Sequence, residues 1–422
     1  MASAAPISGF LAYYKGLSLG VKILIGMGVG VAAGIIFGEG AVVVKPVGDL
    51  FIRLLLMAAI PLVFFNLIAG ITSLSDIRVL GRLGLRTLTY YIGTTSVALC
   101  VGLFMAHFMQ PGRGMQLSEQ VDQAIGEVPK VVDVILDLFP SNVFHAFSVG
   151  NVAQVVVFAI FIGVTTLMLP DDQKDKLKHG FVLIASLLRE LVRLVLYFAP
   201  FGVGALAAAT VGEYGNAIFG PLARFIGAVW MAHFVMVVFY MSVLVVMTKR
   251  SPFSWLKTTA PLYATTAATC SSLASLVVSM NIAQNRLRIP ENIYSFTLPL
   301  GAQLNKDGTA IMLTVVLLFT AQAAGIEFTL AQQFTIVLVG LVLSEGSGGI
   351  PGAGLVIALI FVESFNLPLE IAGIVAGIYR LIDMGGTTVN CMGDLVWTTI
   401  LSDLEERQST DRETMNSKDG LS

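Results

Sequence analysis

Hydrophobic stretches dominate the first part of this sequence, and they are long enough to cross a membrane. The apolar runs before position 250 occupy residues 19–37, 47–71, 88–108, 143–169, 181–211 and 217–247. About 20 consecutive apolar residues span a bilayer as a helix, and the alternation typical of β-barrel strands is missing from these runs. The pattern therefore predicts an all-α polytopic membrane protein, because helices satisfy their own backbone in lipid.

After residue 255, small polar residues interrupt the apolar pattern. Hydroxyl side chains crowd residues 258–279, the sequence Asn305-Lys-Asp-Gly-Thr309 interrupts residues 293–324, and glycines with one proline fill residues 343–354. Irregular backbone at membrane depth is tolerated only where protein or a cavity satisfies its polar groups. Paired interrupted segments indicate a transporter binding site near the membrane midplane.

The last apolar helix carries polar and charged side chains on one face. Asp383, Thr387, Asn390 and Asp394 follow the spacing i, i+4, i+7 and i+11, and Arg380 lies just before them. This spacing brings side chains to one side of a helix. Carboxylates on a membrane helix are costly unless they line a cavity, bind a cation or meet a partner. We therefore expect a substrate and cation site on this face.

Composition narrows the class and the orientation. The chain has 422 residues, of which 56% are hydrophobic and 12% charged, against about 25% charged residues in soluble proteins. The net charge of -2 without a basic tract gives no indication of nucleic-acid binding, and the three cysteines have neither metal-ligand spacing nor a disulfide framework. The first run continues into a full span, unlike a cleavable signal peptide. Basic residues after the second, fourth and sixth runs predict that both termini are cytoplasmic.

Four motifs then identify a resemblance. They are Cys270-Ser-Ser, Asn305-x-Asp-Gly-Thr309, Gly349-Ile-Pro-Gly-Ala-Gly354 and Asp383-Met-Gly-x-Thr-x-x-Asn-x-x-Gly-Asp394. In this order they resemble the dicarboxylate/amino acid:cation symporters, the family of the glutamate transporters and their bacterial and archaeal homologues. The resemblance implies eight transmembrane helices plus two re-entrant helical hairpins, an elevator-type transporter fold, and a homotrimer embedded in the lipid of the cell inner (plasma) membrane.

The resemblance also implies a division of the chain. Scaffold helices 1 and 2 would occupy residues 1–87, helix 3 of the transport domain and an external loop 88–141, and scaffold helices 4 and 5 residues 142–212. The rest of the transport domain, with helix 6, hairpin 1, helix 7, hairpin 2 and helix 8, would occupy 213–402. Residues 403–422 are charged with few apolar residues, which predicts a disordered cytoplasmic tail.

Site residues carry over from the resemblance by motif position. Asp383 would hold the substrate's α-ammonium, Thr387 would face its side chain, and Asn390 with the tip of hairpin 1 would hold its α-carboxylate. The implied substrate-binding set is Ser271, Ser272, Gly349, Ile350, Pro351, Gly352, Arg380, Asp383, Gly386, Thr387 and Asn390. The implied cation set is Tyr91, Thr94, Thr95, Asn305, Asp307, Asn390 and Asp394. Oxygen ligands suit a hard cation, so Na⁺ or H⁺ is the expected coupling ion and no cofactor is expected.

One departure from the family pattern concerns the substrate. Gly386 occupies the position of an arginine that clamps the side-chain carboxylate of acidic substrates, a recognition that depends on a bidentate guanidinium. Its absence favours a neutral or smaller substrate. Arg380 lies near the same face, however, and offers two alternatives. It reaches the pocket and restores anion recognition, or it neutralises Asp383.

A second departure concerns the coupling ion. Lys306 and Glu345 occupy positions that border a sodium site in the family, where an apolar residue or methionine is usual. We expect them to pair and to replace that sodium, and the alternative is that each reaches water separately. The sequence thus predicts a symporter with altered or reduced sodium coupling. The alternatives are a proton-coupled or sodium-independent acidic amino acid or dicarboxylate transporter using Arg380, or an ion or anion-conducting channel. An intramembrane hydrolase using Ser271 or Ser272 is disfavoured because neither motif contains a base, so no enzyme is expected.

Overall fold

The described part of the chain is helical along nearly all its length. The computed structural model describes residues 16–17, 19–72, 77–115, 136, 139–148, 152–344, 346 and 352–419, with only the backbone described at some helical positions. No strand occurs within these ranges. The α-helices are α1 (Leu19–Phe37), α2 (Lys45–Thr72), α3 (Ile77–Met109), α4 (Val143–Ser148), α5 (Val152–Leu167), α6 (Asp171–Tyr214), α7 (Phe219–Thr248), α8 (Pro252–Thr269), α9 (Ser272–Asn285), α10 (Glu291–Leu304), α11 (Asp307–Ala323), α12 (Leu330–Ser344), α13 (Ala353–Ser364) and α14 (Leu369–Asp419).

Among the described residues, five helical segments are long and apolar enough to cross a membrane, and four shorter apolar helices accompany them. The chain is therefore a multi-pass helical membrane protein, as the hydrophobic runs predict. The number of membrane crossings, the re-entrant course of the hairpins and the elevator fold remain predictions from the resemblance.

Helices α1, α2, α5 and α6 pack against one another, with α1 and α2 lying along α6. Glycines bring α1 and α6 into backbone contact. A Cβ atom on Gly26 would lie 2.2 Å from the carbonyl oxygen of Pro200, and one on Gly30 would lie 2.0 Å from that of Gly204. Small residues at such contacts are typical of membrane helix pairs, because close packing drives their association in lipid.

A second group of helices surrounds α11. This helix packs against α3, α7, α13 and α14, and nearly all its side chains are buried, including Leu313, Leu317 and Phe319. A helix that is apolar all round lies in the interior of a bundle. The surrounding helices therefore hold the N-terminus of α11 in the centre of this group, where the polar interruption occurs.

The predicted interruptions are present where the structure describes them. Cys270 has a left-handed backbone with φ of 48°, which ends α8, and the hydroxyl of Ser271 then caps α9 by accepting from the Ala274 N–H at 3.2 Å. Asn305 and Lys306 separate α10 from α11, and α12 ends at Ser344 before α13 begins at Ala353. Glu345, Gly349, Ile350 and Pro351 lie outside the described residues.

Three charged segments are helical, although the sequence placed two of them outside the apolar runs and the third in a disordered tail. α3 begins at Ile77 and includes the basic segment 78–86, α6 begins at Asp171 rather than near residue 181, and α14 continues to Asp419. The prediction of a disordered tail from residue 403 is therefore wrong for residues 403–419. Charged residues with good helix propensity extend helices beyond the apolar run, and pairs such as Lys174–Asp171, at 2.5 Å, add support along the first turns of α6.

Candidate functional site

The break between α10 and α11 meets α14 through two asparagines. The Asn305 amide donates to the Asp394 carboxylate at 2.9 Å and to the Asn390 carbonyl at 3.2 Å. In return, the side-chain oxygen of Asn390 accepts from the Gly308 N–H at 2.7 Å. These bonds satisfy backbone groups that a helix end would otherwise leave without partners. They also fix two residues of the predicted cation set, Asn305 and Asp394, against each other.

Asp307 begins α11 and lies fully inside the helix bundle. The Thr95 hydroxyl of α3 donates to one of its carboxylate oxygens at 2.7 Å, and the Tyr240 hydroxyl of α7 donates to the other. A carboxylate near a helix N-terminus is favoured by the exposed N–H groups of the first turn. Asp307 thus links three helices, α3, α7 and α11, around one negative charge.

Residues of α3 complete the oxygen-rich cluster. The Tyr91 hydroxyl donates to the Thr297 carbonyl at 3.3 Å, and the Thr94 hydroxyl donates to the Tyr91 carbonyl at 3.2 Å. A Cβ atom on Gly301 would lie 2.3 Å from an Asp394 carboxylate oxygen and 2.5 Å from the Tyr91 hydroxyl. The missing side chain at Gly301 therefore lets Asp394 and the Tyr91 hydroxyl approach the backbone of α10.

The chemistry of this cluster fits a hard monovalent cation. Its donors are carboxylate, amide, hydroxyl and carbonyl oxygens, and the side-chain oxygen of Asn305 is buried without a hydrogen-bond partner among the described residues. Such an orphaned acceptor is costly unless something electropositive approaches it. Groups of three or more His, Cys, Asp or Glu side chains that could hold a metal are missing from the described part of the chain.

Lys306 lies inside this cluster and is only 1% exposed. Its ammonium donates to the carbonyl oxygens of Ala302 at 2.7 Å and Asn305 at 3.3 Å. The alternative in which Lys306 reaches water by itself is therefore wrong. The predicted pairing with Glu345 involves a residue outside the described part of the chain.

A separate cavity of about 240 Å³ lies beside the N-terminal half of α14. Its polar lining comes from Thr269, Gly352, Tyr379, Arg380 and Asp383. The rest of its wall is apolar, and α1, α2 and α6 contribute the side chains of Ile23, Phe51, Leu196, Ala199 and Val203 to it. The two helix groups thus meet at this cavity, with charged groups on one side and hydrocarbon on the other.

The two charged groups of the cavity have different partners. The Arg380 guanidinium donates to the Ala268 carbonyl, near the end of α8, at 2.7 Å. The Asp383 carboxylate accepts from the Thr387 hydroxyl at 3.2 Å. A guanidinium carries five N–H donors, so the bond to Ala268 leaves others for a ligand. The arrangement suits a small molecule that bears both an ammonium and a carboxylate.

The structure brings together only part of the predicted substrate set. Arg380, Asp383 and Gly352 line the cavity, and Gly352 has φ of 84° at the start of α13, a conformation that glycine adopts without strain. Thr387 contacts Asp383, whereas Asn390 contacts Gly308 instead. The remaining described members, which are buried but not among the cavity-lining residues, are Ser271, Ser272 and Gly386.

Gly386 has room for a side-chain carbon. A Cβ atom there would lie 3.5 Å from the Gly308 carbonyl oxygen and 3.8 Å from a ring nitrogen of His233, which are ordinary contact distances. By contrast, a Cβ on neighbouring Gly385 would lie 2.6 Å from the His233 ring. Packing therefore explains glycine at position 385 but does not require it at position 386.

Sequence reasoning missed two residues of the cluster. Tyr240 lies in an apolar stretch of α7, where nothing in the pattern distinguishes it from a packing residue. Gly301 precedes the break by one turn, and glycine in a membrane helix is common enough to carry no signal by itself. Only the three-dimensional structure identifies them, through the contact of Tyr240 with Asp307 and the closeness of Gly301 to Asp394.

Buried carboxylates at a helix break, next to a charged cavity between two helix groups, define the class of polytopic membrane transporters. The family comparison agrees, because the model of the sodium:dicarboxylate symporter family matches residues 19–404. The chain belongs to that family, whose members are transporters and not enzymes.

Curated relatives extend over almost the whole chain. A proton/glutamate-aspartate symporter of Bacillus subtilis (strain 168) is 31% identical over 392 residues, covering 91% of this chain and 94% of the relative. A proton/sodium-glutamate symport protein of Bacillus caldotenax is 30% identical over 411 residues, covering 94% and 96%. A C4-dicarboxylate transport protein of Bacillus subtilis (strain 168) is 27% identical over 402 residues, covering 92% and 94%.

Proposed function

We propose that this protein is a secondary active symporter that moves a small acidic amino acid or dicarboxylate across the membrane together with a cation. The observation that carries the proposal is the cavity in which Arg380 and Asp383 lie on one wall. Asp383 would hold an ammonium group, and the free N–H groups of Arg380 would hold a carboxylate. The relatives are named for glutamate, aspartate and C4-dicarboxylates, which supports an anionic substrate.

The position of Arg380 and the names of the relatives reverse the order of the two substrate hypotheses. Gly386 favoured a neutral substrate from the sequence, and that remains the second candidate, because Gly386 adds no charge to the site. Arg380 lies in the cavity wall itself, however, and supplies a guanidinium with which a side-chain carboxylate would pair. Because the α-carboxylate of a neutral amino acid would pair with it too, the names of the relatives decide the order, and we place the acidic substrate first.

The coupling ion in this proposal is Na⁺ or H⁺. The orphaned oxygen of Asn305 and the carboxylate of Asp394 lie together at the helix break, where a cation would have oxygen ligands. Reduced dependence on sodium, predicted from Lys306 and Glu345, remains part of the proposal. The relatives are named proton/glutamate-aspartate and proton/sodium-glutamate symporters, so both ions have support.

Movement of the site would follow the elevator mechanism in a homotrimer with cytoplasmic termini. Helices α1, α2, α5 and α6 would be the scaffold, and the helices around α11 would carry the site across the membrane. Two observations support this division, namely that each group packs around its own central helix, α6 or α11, and that α1, α2 and α6 present apolar side chains to the cavity. An apolar surface of this kind suits sliding.

The test is uptake of labelled L-aspartate, L-glutamate, succinate, L-alanine and L-serine into proteoliposomes, with counterflow to separate transport from passive conduction. Arg380→Gln should weaken acidic substrates by about 10- to 100-fold, because charge-assisted hydrogen bonds contribute about 1.5–3 kcal/mol. Arg286→Gln is the matched control, since Arg286 also donates to a carbonyl of α8, that of Thr258 at 3.1 Å, but lies away from the cavity lining.

Two results would contradict the proposal. Uptake of L-alanine and L-serine with no uptake of acidic substrates would favour the neutral-substrate candidate. Labelled substrate that equilibrates without counterflow would favour the channel.

A further inference from the structure

Lys306 is a charged side chain with no access to water, and it lies at a place where helix geometry creates negative charge. It is 1% exposed, and its ammonium contacts the carbonyl oxygens of Ala302 and Asn305 at 2.7 and 3.3 Å. α10 ends at Leu304, and the last carbonyls of a helix have no partner within it. Together they form the negative end of the helix dipole.

An ammonium at these carbonyls does what a bound metal cation would do there. Carbonyl oxygens are ligands for hard cations, and the helix end attracts positive charge. Because Lys306 is covalently attached, an ammonium at this place, unlike a bound metal ion, does not leave with the substrate. The break between α10 and α11 therefore carries its own cation.

The charge balance of the cluster also indicates that Lys306 takes the place of one bound cation. Among the described residues, the charged side chains that are at least nine-tenths buried are Lys306, Asp307 and Asp394. Lys306 is close enough to interact electrostatically with both carboxylates. With both carboxylates ionised, these three described side chains carry a single net negative charge, and an uncompensated charge in a low-dielectric interior is costly. One monovalent cation would neutralise these three side chains, whereas two would be needed without Lys306.

We propose that the Lys306 ammonium permanently occupies one cation position at the helix break, so that substrate binding requires one mobile sodium fewer than the oxygen cluster would otherwise take. This inference rests on the proposed function and specifies how its cation coupling is set. It rests on the contacts of the ammonium with backbone carbonyls of its own helix break, and not on the predicted pair with Glu345.

The test replaces Lys306 by methionine, which has a similar length and no charge. Removal of the ammonium frees the carbonyls of Ala302 and Asn305 and adds one net negative charge to the cluster. Substrate affinity is measured by thermal shift at constant pH and constant ionic strength, with sodium exchanged for choline. By linkage, the slope of log Kd against log sodium concentration reports the ions taken up with substrate. The slope should steepen by about one in Lys306→Met.

Two further variants control the experiment. Lys306→Arg keeps the positive charge and should retain the wild-type slope. Lys257→Met removes an exposed lysine from α8 and should also leave the slope unchanged. A slope in Lys306→Met equal to that of the wild type would overturn the proposal, whatever the value of that slope.

A second readout needs no substrate and therefore separates this inference from the proposed function. Trp397 stacks on Tyr90, with ring centroids 4.4 Å apart, and Tyr90 adjoins Tyr91 of the cluster. Tryptophan fluorescence and thermal stability of the substrate-free protein should respond to sodium more strongly in Lys306→Met and Lys306→Gln than in the wild type. Equal responses to sodium in these variants and in the wild type would contradict the inference. It would also be contradicted if Lys306→Met and Lys306→Gln both failed to fold at saturating NaCl while Lys306→Arg folded normally.

Discussion

Two regions of this membrane protein pack their helices in opposite ways, one through backbone contacts and the other through buried polar groups. Between α1 and α6, glycines let the two backbones touch, and much of the remaining surface is apolar, with Val29 and Ile36 largely exposed. Around the break between α10 and α11, carboxylates, amides and hydroxyls are buried and bonded to one another. In the first region, glycine backbones pack directly against each other, whereas the second region depends on hydrogen bonds between helices.

The difference shows which region is built for rigidity and which for ligands. Close backbone packing leaves no room for an added atom, so the α1–α6 contact holds one geometry. The polar region leaves the side-chain oxygen of Asn305 and the hydroxyl of Tyr90 buried without described partners. Such groups lower stability unless they acquire a partner, and functional sites are where proteins tolerate that cost.

The largest expected effect breaks the rigid region. In Gly30→Leu, the new Cβ would lie 2.0 Å from the carbonyl oxygen of Gly204, so α1 and α6 must separate. We expect a loss of about 3 kcal/mol or more of stability, seen as loss of a monodisperse peak in size-exclusion chromatography. The control is Gly28→Leu, since nothing lies within 4 Å of a Cβ at Gly28. Equal behaviour of the two variants would mean that the backbone contact is not what holds these helices together.

A smaller effect on stability, but a large one on function, is expected in the polar region. Asp394→Asn keeps an oxygen that accepts from the Asn305 amide, at 2.9 Å in the wild type, and removes one buried negative charge. The melting temperature without ligand should stay the same or rise, because burying a charge is costly. The affinity for the coupling cation should fall by about 10- to 100-fold, because a charged ligand is lost. The measurement is the cation concentration that gives half of the maximal rise in melting temperature. A variant that unfolds would show instead that Asp394 is structural.

The smallest effect concerns the second half of α14, where ion pairs connect it to α3 and to the segment between α7 and α8. Arg250 donates to both carboxylate oxygens of Asp403 at 3.0 and 2.7 Å, and Arg86 lies 2.9 Å from Glu405. The hydrogen bonds to Asp403 raise the pKa of Arg250. Because both pairs are partly exposed, Arg250→Gln should cost about 0.5–1 kcal/mol, and the difference in melting temperature should shrink at high salt. A difference that persists in high salt would point to packing by the arginine side chain instead.

Much of the helical framework follows from the sequence because apolar run length is a strong signal in membrane proteins. The first run, residues 19–37, coincides with α1 (Leu19–Phe37), and the interruptions at Cys270 and Asn305 occur where small polar residues predict them. Charged helix extensions were missed, because the same residues that favour water also favour helix. α14 past residue 403 is the clearest case.

The site was predicted less completely, for a geometric reason. Periodicity places Asp383 and Asp394 on one face of a helix, but it does not tell which cavity or break each one meets. The structure separates them, with Asp383 in the cavity and Asp394 at the break. Tyr240 joins Asp307 from another helix altogether, and a single sequence carries no signal for that contact. Long-range partners of this kind are set by packing rather than by local pattern.

The length of α14 has a practical consequence. At about 1.5 Å per residue, its 51 residues extend roughly 75 Å, against a hydrocarbon core of about 30 Å. Its last turns must therefore stand clear of the lipid, on the same rod that carries Asp383 and Asp394. In the proposed elevator mechanism, a rigid marker protein fused in helical register after Asp419 would rise and fall with those carboxylates, and its height above the bilayer could be read one molecule at a time.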